Sequence, residues 1–176
     1  MALAVMLSLC PLHSCDSGPS LSHRLMFDAG SQFILQWTAD IPKKMLRLCA
    51  TAQCSEHQYI SLGFGGGYKM QDMDMVAAFL EEDGTAVTRT YYSETPVGFP
   101  TGRPTMEIRN VSQVFDNGTA HLCFTRPFHT GHHPIQDGTF VSWAIGSLWD
   151  DDMDDHGMQR GTQKVQFLSA RAGSEL

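Results

Sequence analysis

Apolar and polar residues alternate with a period of two along much of the chain, and nowhere do apolar residues hold a 3.6-residue period over three turns with caps at both ends. Strands are predicted at residues 33–38, 45–50 and 58–64, the first two joined by a Pro-containing turn at 40–44. Residues 74–80, DMVAAFL, form a nearly continuous apolar run, the pattern of a strand covered on both faces. Asp83-Gly84 is a tight hairpin signal, and 86–92 returns from it. A Gly/Pro-rich loop at 96–104 precedes short predicted strands at 105–110 and 112–115. Three more follow at 120–126, 138–146 and 164–168.

About eight to ten short strands with turn signals between them predict an all-β chain, an antiparallel immunoglobulin-like β-sandwich. The 176 residues suit one domain, and 42 % hydrophobic with 18 % charged residues suffices for a packed core. The expected organisation is a signal segment at 1–17, one sandwich domain at 18–170 and a short tail at 171–176. A net charge of −7 speaks against nucleic acid as a partner, since phosphate binding needs a Lys/Arg surplus. No apolar run approaches the length that crosses a bilayer, so no transmembrane segment of its own is expected.

The apolar stretch Ala2 to Leu12 has the length of a secretory h-region, and the reading is an exported chain, secreted or membrane-associated. Asn110-Val111-Ser112 and Asn117-Gly118-Thr119 are glycosylation acceptors, consistent with export. Of five cysteines, Cys10 falls in that apolar stretch, leaving Cys15, Cys49, Cys54 and Cys123 with three possible pairings. Cys49 and Cys54 flank a short loop they could close, with Cys15 and Cys123 then the default second pair. The competing reading makes Cys123 a buried free thiol. Neither CxxC nor CxxCH occurs, which excludes the usual zinc pattern and covalent c-type haem attachment. His129, His132 and His133 form H-x-x-H-H, a possible zinc or copper site, but the adjoining Gly131 and Pro134 favour an exposed loop. The acidic run Asp150 to Asp155 lacks the spacing of a calcium loop and reads as a solvated stretch.

Ten Met and eight His raise the question of metal ligation. Two segments stand out. One runs from a strand into Gly65-Gly66-Gly67 and then Tyr68, Lys69, Met70 and Asp74, where glycines let the backbone approach a flat, bulky group. The other carries His156-Gly157 followed by Arg160-Gly161. With Leu62 to Gly67, the Asp-Gly hairpin, Thr125-Arg126-Pro127 and Trp143-Ala144, their order resembles the DOMON family over residues 33–168. The likeness is to its haem-binding, cytochrome-type branch, which includes the cytochrome domain of cellobiose dehydrogenase, and to DOMON proteins of animals and plants.

The resemblance implies a non-covalent haem b whose iron takes Met70 and His156 as axial ligands. It implies a one-electron carrier more than a catalyst, with no catalytic residues assigned. Partners would be a membrane b-type cytochrome or a small reductant such as ascorbate. Met73 is the fallback ligand, and Met75 reads as core filler. Candidate haem walls are Phe64, Tyr68, Phe79, Tyr92 and Trp143; Lys69, Arg103 and Arg160 are candidates for the propionates. The alternatives are a haem-free DOMON module binding carbohydrate through Tyr91, Tyr92 and Trp149, or a protein partner, and a DOMON fragment of a larger membrane oxidoreductase or monooxygenase.

Overall fold

A computed structural model describes residues 21–65, 67–95, 100, 102–149, 152–153, 157, 159 and 160–169. The elements are all strands: β1 His23–Asp28, β2 Phe33–Asp40, β3 Met45–Gln53, β4 Gln58–Gly65, β5 Met73–Leu80, β6 Ala86–Ser93, β7 Arg109–Asp116, β8 Thr119–Pro127, β9 Asp137–Trp149, β10 Asp152–Met153 and β11 Arg160–Gln166. The first sheet has the order β1-β2-β3-β8-β7. The second has the order β10-β9-β4-β5-β6, with β11 also pairing β9. Every pairing is antiparallel. Among the described residues no helix is long and apolar enough to cross a membrane.

Strand alternation builds the core between the sheets. Phe33, Leu35 and Trp37 of β2, Leu46, Leu48 and Ala50 of β3, and Leu122 and Phe124 of β8 face Ile60, Leu62 and Phe64 of β4 and Val141, Trp143 and Ile145 of β9. Both faces of β5 are buried. Val76 and Ala78 join this core, while Met73, Met75, Ala77 and Phe79 form a second cluster with Tyr59, Ala144 and Met153. The continuous apolar run of β5 follows from that double burial.

Some boundaries differ from expectation. The predicted strand at 105–110 is absent as such: β7 starts at Arg109, with an irregular register between Arg109 and Ser112 where Asn110 takes a φ of 50°. Asn117 and Gly118, with φ of 49° and 73°, make the two-residue turn into β8 that an Asn-Gly pair favours. β1 escaped the sequence reading, because an edge strand with half-exposed residues gives a weak pattern.

The disulfide expectations are overturned. Cys49 bonds to Cys123, its direct partner in the β3–β8 register, with Cα atoms 4.1 Å apart. Among the described residues Cys54 is the free cysteine; it sits in the inter-sheet core, and burial pushes its thiol up to about 12. Pairing follows strand parity: Cys49 and Cys123 alternate with the inward Leu48, Ala50, Leu122 and Phe124, so they share the other face of one sheet. Cys10 and Cys15 lie outside the described residues. Replacing Cys49 and Cys123 together by Ser should lower the unfolding free energy by about 2–4 kcal/mol. Urea titrations with and without a reductant measure it; a wild-type midpoint indifferent to reductant would contradict the bond.

Candidate functional site

In a sandwich the outward face of a sheet is ordinarily polar and solvated. Here the second sheet breaks that rule with small side chains. Ser61 and Gly63 of β4 pair with Ala144 and Ser142 of β9, which pair in turn with Arg160 and Thr162 of β11. These residues and Gly161 floor a cavity of about 630 Å³. Met73 and Met75 of β5, Trp143, and Tyr68, Lys69 and Met70 of the β4–β5 connection complete its lining. That volume falls in the range of sites for small molecules and cofactors. Gly63 is needed for space, since a Cβ on it would collide with the Met73 thioether; Gly161 has the inward parity of its partner Trp143, and a Cβ on it would stand 2.6 Å from that indole nitrogen.

Of the residues singled out in the sequence, Met70, Tyr68, Lys69, Trp143 and Arg160 come together around this cavity. Tyr68 is 81 % exposed and meets the ring of Phe140 edge-on, so it stands at the mouth. Trp143 packs on Phe33 from the core side, with ring centroids 5.0 Å apart. Met73, at 3 % exposure, and Met75 both line the cavity as well as packing in the second cluster.

Phe64, Phe79, Tyr92 and Arg103 are not brought to it. Phe64 has the inward parity of β4 and packs between the sheets. Phe79 lies two turns of the pleat further along β5, under Arg89. Tyr92 stacks on His132 instead, and Arg103 lies in the segment after Gly102, which bridges to Tyr92. His156 lies outside the described residues. Around it, Met153 pairs with Leu148, and Arg160 pairs with the cavity residue Ala144, so the chain leaves and rejoins this edge of β9 on either side of position 156.

A buried polar network supports the loop that carries Met70. Asp74 and Arg126 occupy inward positions of β5 and β8, where apolar residues would be expected, and both are fully buried. Asp74 Oδ2 accepts the His133 backbone N–H at 2.9 Å, and Oδ1 lies 3.0 Å from His132 Nδ1. Arg126 Nη2 donates to the carbonyls of Thr130 at 2.6 Å and His133 at 3.0 Å, and its guanidinium lies 4.6 Å above the Phe64 ring. Burial pushes the Arg126 side chain down to about 10, against the opposing pull of Asp74, so it stays charged at neutral pH. Among the described residues its Nε and Nη1 have no hydrogen-bond partner. H-x-x-H-H lies in the surface loop expected of it, with His129 and His132 exposed and His133 half-buried, and it is tied to Asp74 through the His132 ring and the His133 backbone N–H. Among the described residues no three His, Cys, Asp or Glu side chains are arranged to hold a metal ion.

The sequence reading noticed Asp74 and Arg126 only as parts of a motif. The available signal was their parity, since each alternates with core residues: Val76 and Ala78 for Asp74, Leu122 and Phe124 for Arg126.

The DOMON domain profile matches residues 29–146, two-thirds of the chain. The chain belongs to the DOMON domain family. Among solved structures this DOMON domain is similar to the cytochrome domain of Myriococcum thermophilum cellobiose dehydrogenase, MtCYT, with a TM-score of 0.59 and 14 % identity over 82 % of this chain and 81 % of that one. At that identity the likeness carries the sandwich fold. Among curated proteins none matches the sequence.

Two outcomes follow for the DOMON domain. Replacing Asp74 by Ala takes the acceptor from the buried His133 N–H and the opposing charge from Arg126, and should cost about 3–5 kcal/mol in urea unfolding. The Tyr92 phenol donates to Asp72 Oδ1 at 2.6 Å, and this bond pushes it up to about 12. Its folded value is raised, so its contribution to stability is whole below pH 10 and is lost as pH rises towards 12. Alkaline absorbance titration of the folded protein should show a late-titrating tyrosine that is missing in Tyr92→Phe; identical curves would rule the bond out.

Proposed function

We propose that this DOMON domain is an exported electron-transfer module that binds haem b without a covalent link, with Met70 and His156 as axial ligands. The observation that carries the reading is the cavity on the outer face of the second sheet, apolar, floored by small residues and bordered by Met70. The residues present fit a flat metalloporphyrin in two respects. Gly63 keeps the floor low, since a Cβ there would clash with the Met73 thioether. Thioethers are soft donors suited to iron in a haem, and three of them line the cavity.

The chain's own residues would divide the work as follows. Met70 supplies a ligand from the β4–β5 connection, and His156 supplies the other from the segment between β10 and β11. Trp143 and Tyr68 provide aromatic surface, while Lys69 and Arg160, both lining the cavity, suit carboxylate side arms. Held by a thioether and an imidazole, a haem iron has no open position for O₂ and passes single electrons, with the thioether raising its potential. The structural likeness to a protein described as a cytochrome domain agrees with this reading. Export is supported by the Cys49–Cys123 bond, since disulfides persist in oxidising compartments, and by two acceptor triplets whose Asn110 and Asn117 are exposed on and beside β7. The electron partner would be a membrane b-type cytochrome or a small reductant such as ascorbate.

The carbohydrate alternative gains no support. Tyr91 packs against the second apolar cluster and Tyr92 on His132, so neither is offered as a stacking platform. The Trp149 side chain lies outside the described residues.

Reduced-minus-oxidised absorption spectra after haem reconstitution test the proposal. Sharp low-spin b-type bands are expected, and Met70→Ala or His156→Ala should each leave five-coordinate iron. Protein that stays colourless, or spectra unmoved by both substitutions, would refute it.

A further inference from the structure

The β4–β5 connection presents Tyr68, Lys69 and Met70 to the cavity, yet it is longer than the two to five residues usual for a hairpin loop. Its base is closed by the Gly65–Met73 pair of the ladder. What holds the rest is not in either strand. We infer that Asp72, clamped by Tyr92 and His133, positions Met70 at the cavity, which makes Tyr92 and His133 positioning residues for that thioether. The inference rests on Met70 being the group that the cavity uses.

One backbone angle and two contacts carry it. Asp72 takes a left-handed φ of 56°, which an Asp tolerates better than most residues and which turns the loop back towards β5. Its Oδ1 accepts the Tyr92 hydroxyl at 2.6 Å, a short bond to an ionised acceptor and therefore a strong one. The same oxygen lies 3.2 Å from His133 Nε2, at ion-pair distance but off the hydrogen-bond line.

Each clamping group is itself fixed. Tyr92 stands directly opposite Asp74 in the β5–β6 register, and its ring stacks on His132 with centroids 3.6 Å apart and planes 17° from parallel. His132 and His133 are tied to the fully buried Asp74 through Nδ1 and the backbone N–H. The His133 ring lies against Gly65, where any Cβ would collide with it. Position therefore passes from a buried charge, through two histidines and a tyrosine, to Asp72, two residues from Met70. The side chain of Asp72 is 60 % exposed, so the clamp works as a latch at the surface and not as part of the core.

The test uses the full chain without added haem, labelled with methyl-¹³C methionine, the Met70 signal being identified from Met70→Leu. Tyr92→Phe keeps the ring stacked and removes only the hydroxyl. In that variant the Met70 methyl should move and narrow towards the position of a solvent-exposed methionine. Amides 67–72 should exchange about tenfold faster, the scale set by losing one hydrogen bond to a charged group. The Met75 methyl should stay near wild type and urea unfolding should remain one cooperative transition, its midpoint lowered by no more than the loss of this one bond, which separates loss of the clamp from loss of the fold. Asp72→Ala should do the same, and Asp72→Asn, which keeps an acceptor oxygen, should restore most of the wild-type signal. An unmoved Met70 methyl in both Tyr92→Phe and Asp72→Ala overturns the clamp.

A second arm loads haem and follows the sulfur-to-iron charge-transfer band, which should weaken in Tyr92→Phe. If the amides loosen but this band is unchanged, Met70 is positioned by something else and the inference fails. If wild-type protein takes up no haem, the haem reading falls, while the methyl and exchange results still decide the clamp.

Discussion

Two opposite charges stand where strand alternation calls for apolar side chains, and one end of the sandwich is organised around them. Asp74 from β5 and Arg126 from β8 are fully buried. A charge in that position must be matched by other charges and by hydrogen bonds, because desolvation otherwise costs several kcal/mol per ion. The match comes from the segment after β8, whose carbonyls at Thr130 and His133 take the guanidinium and whose His133 N–H takes the carboxylate. The loop is thereby folded onto the end of the sandwich. Gly131 is required where it lies against Asp74, since its Cβ would come within 2.5 Å of a carboxylate oxygen.

The same arrangement reaches the cavity from behind. At the cavity the outward positions of β4 and β9 are small and those of β5 are methionines, and the two facts together leave an apolar recess instead of a flat polar sheet face. Such a recess does not fix the residues at its border. That falls to the β4–β5 connection, whose end is tied through Asp72 to Tyr92 and His133. A site on a loop is only as well placed as the contacts that support the loop, and here those contacts lead back to Asp74.

Much of this was legible in one dimension. The alternation in β2, β3, β4 and β8, the apolar run of β5 and the Asp-Gly turn gave the strands, and the glycine-rich stretch followed by Met70 pointed to the cavity. What misled was reasoning from proximity along the chain. Cys49 and Cys54 are close in sequence but belong to different faces of the first sheet, and Cys49 instead meets a cysteine 74 residues away. Phe64 adjoins the glycines but points into the core, and Tyr92, two positions after a strand residue on the same face, is taken up by His132. Parity within a strand is readable from sequence; which face of the sheet meets the other sheet is not, until the partners are known.

The chain by itself therefore determined its class of structure, because a period of two and frequent turn residues leave few ways to bury the apolar side chains other than two packed antiparallel sheets. It also determined the chemical character of the cavity, since small residues, thioethers and cations are properties of the side chains alone. Tertiary structure decided which of those side chains meet. Strand order and register brought Cys49 to Cys123, and the pairing of β4 with β5 and β9 set Gly63 beside Met73 and Ser142. Packing of the two sheets brought the loop after β8 over the buried carboxylate of β5. These are contacts between residues remote in sequence, fixed by pairing and packing that no local pattern encodes.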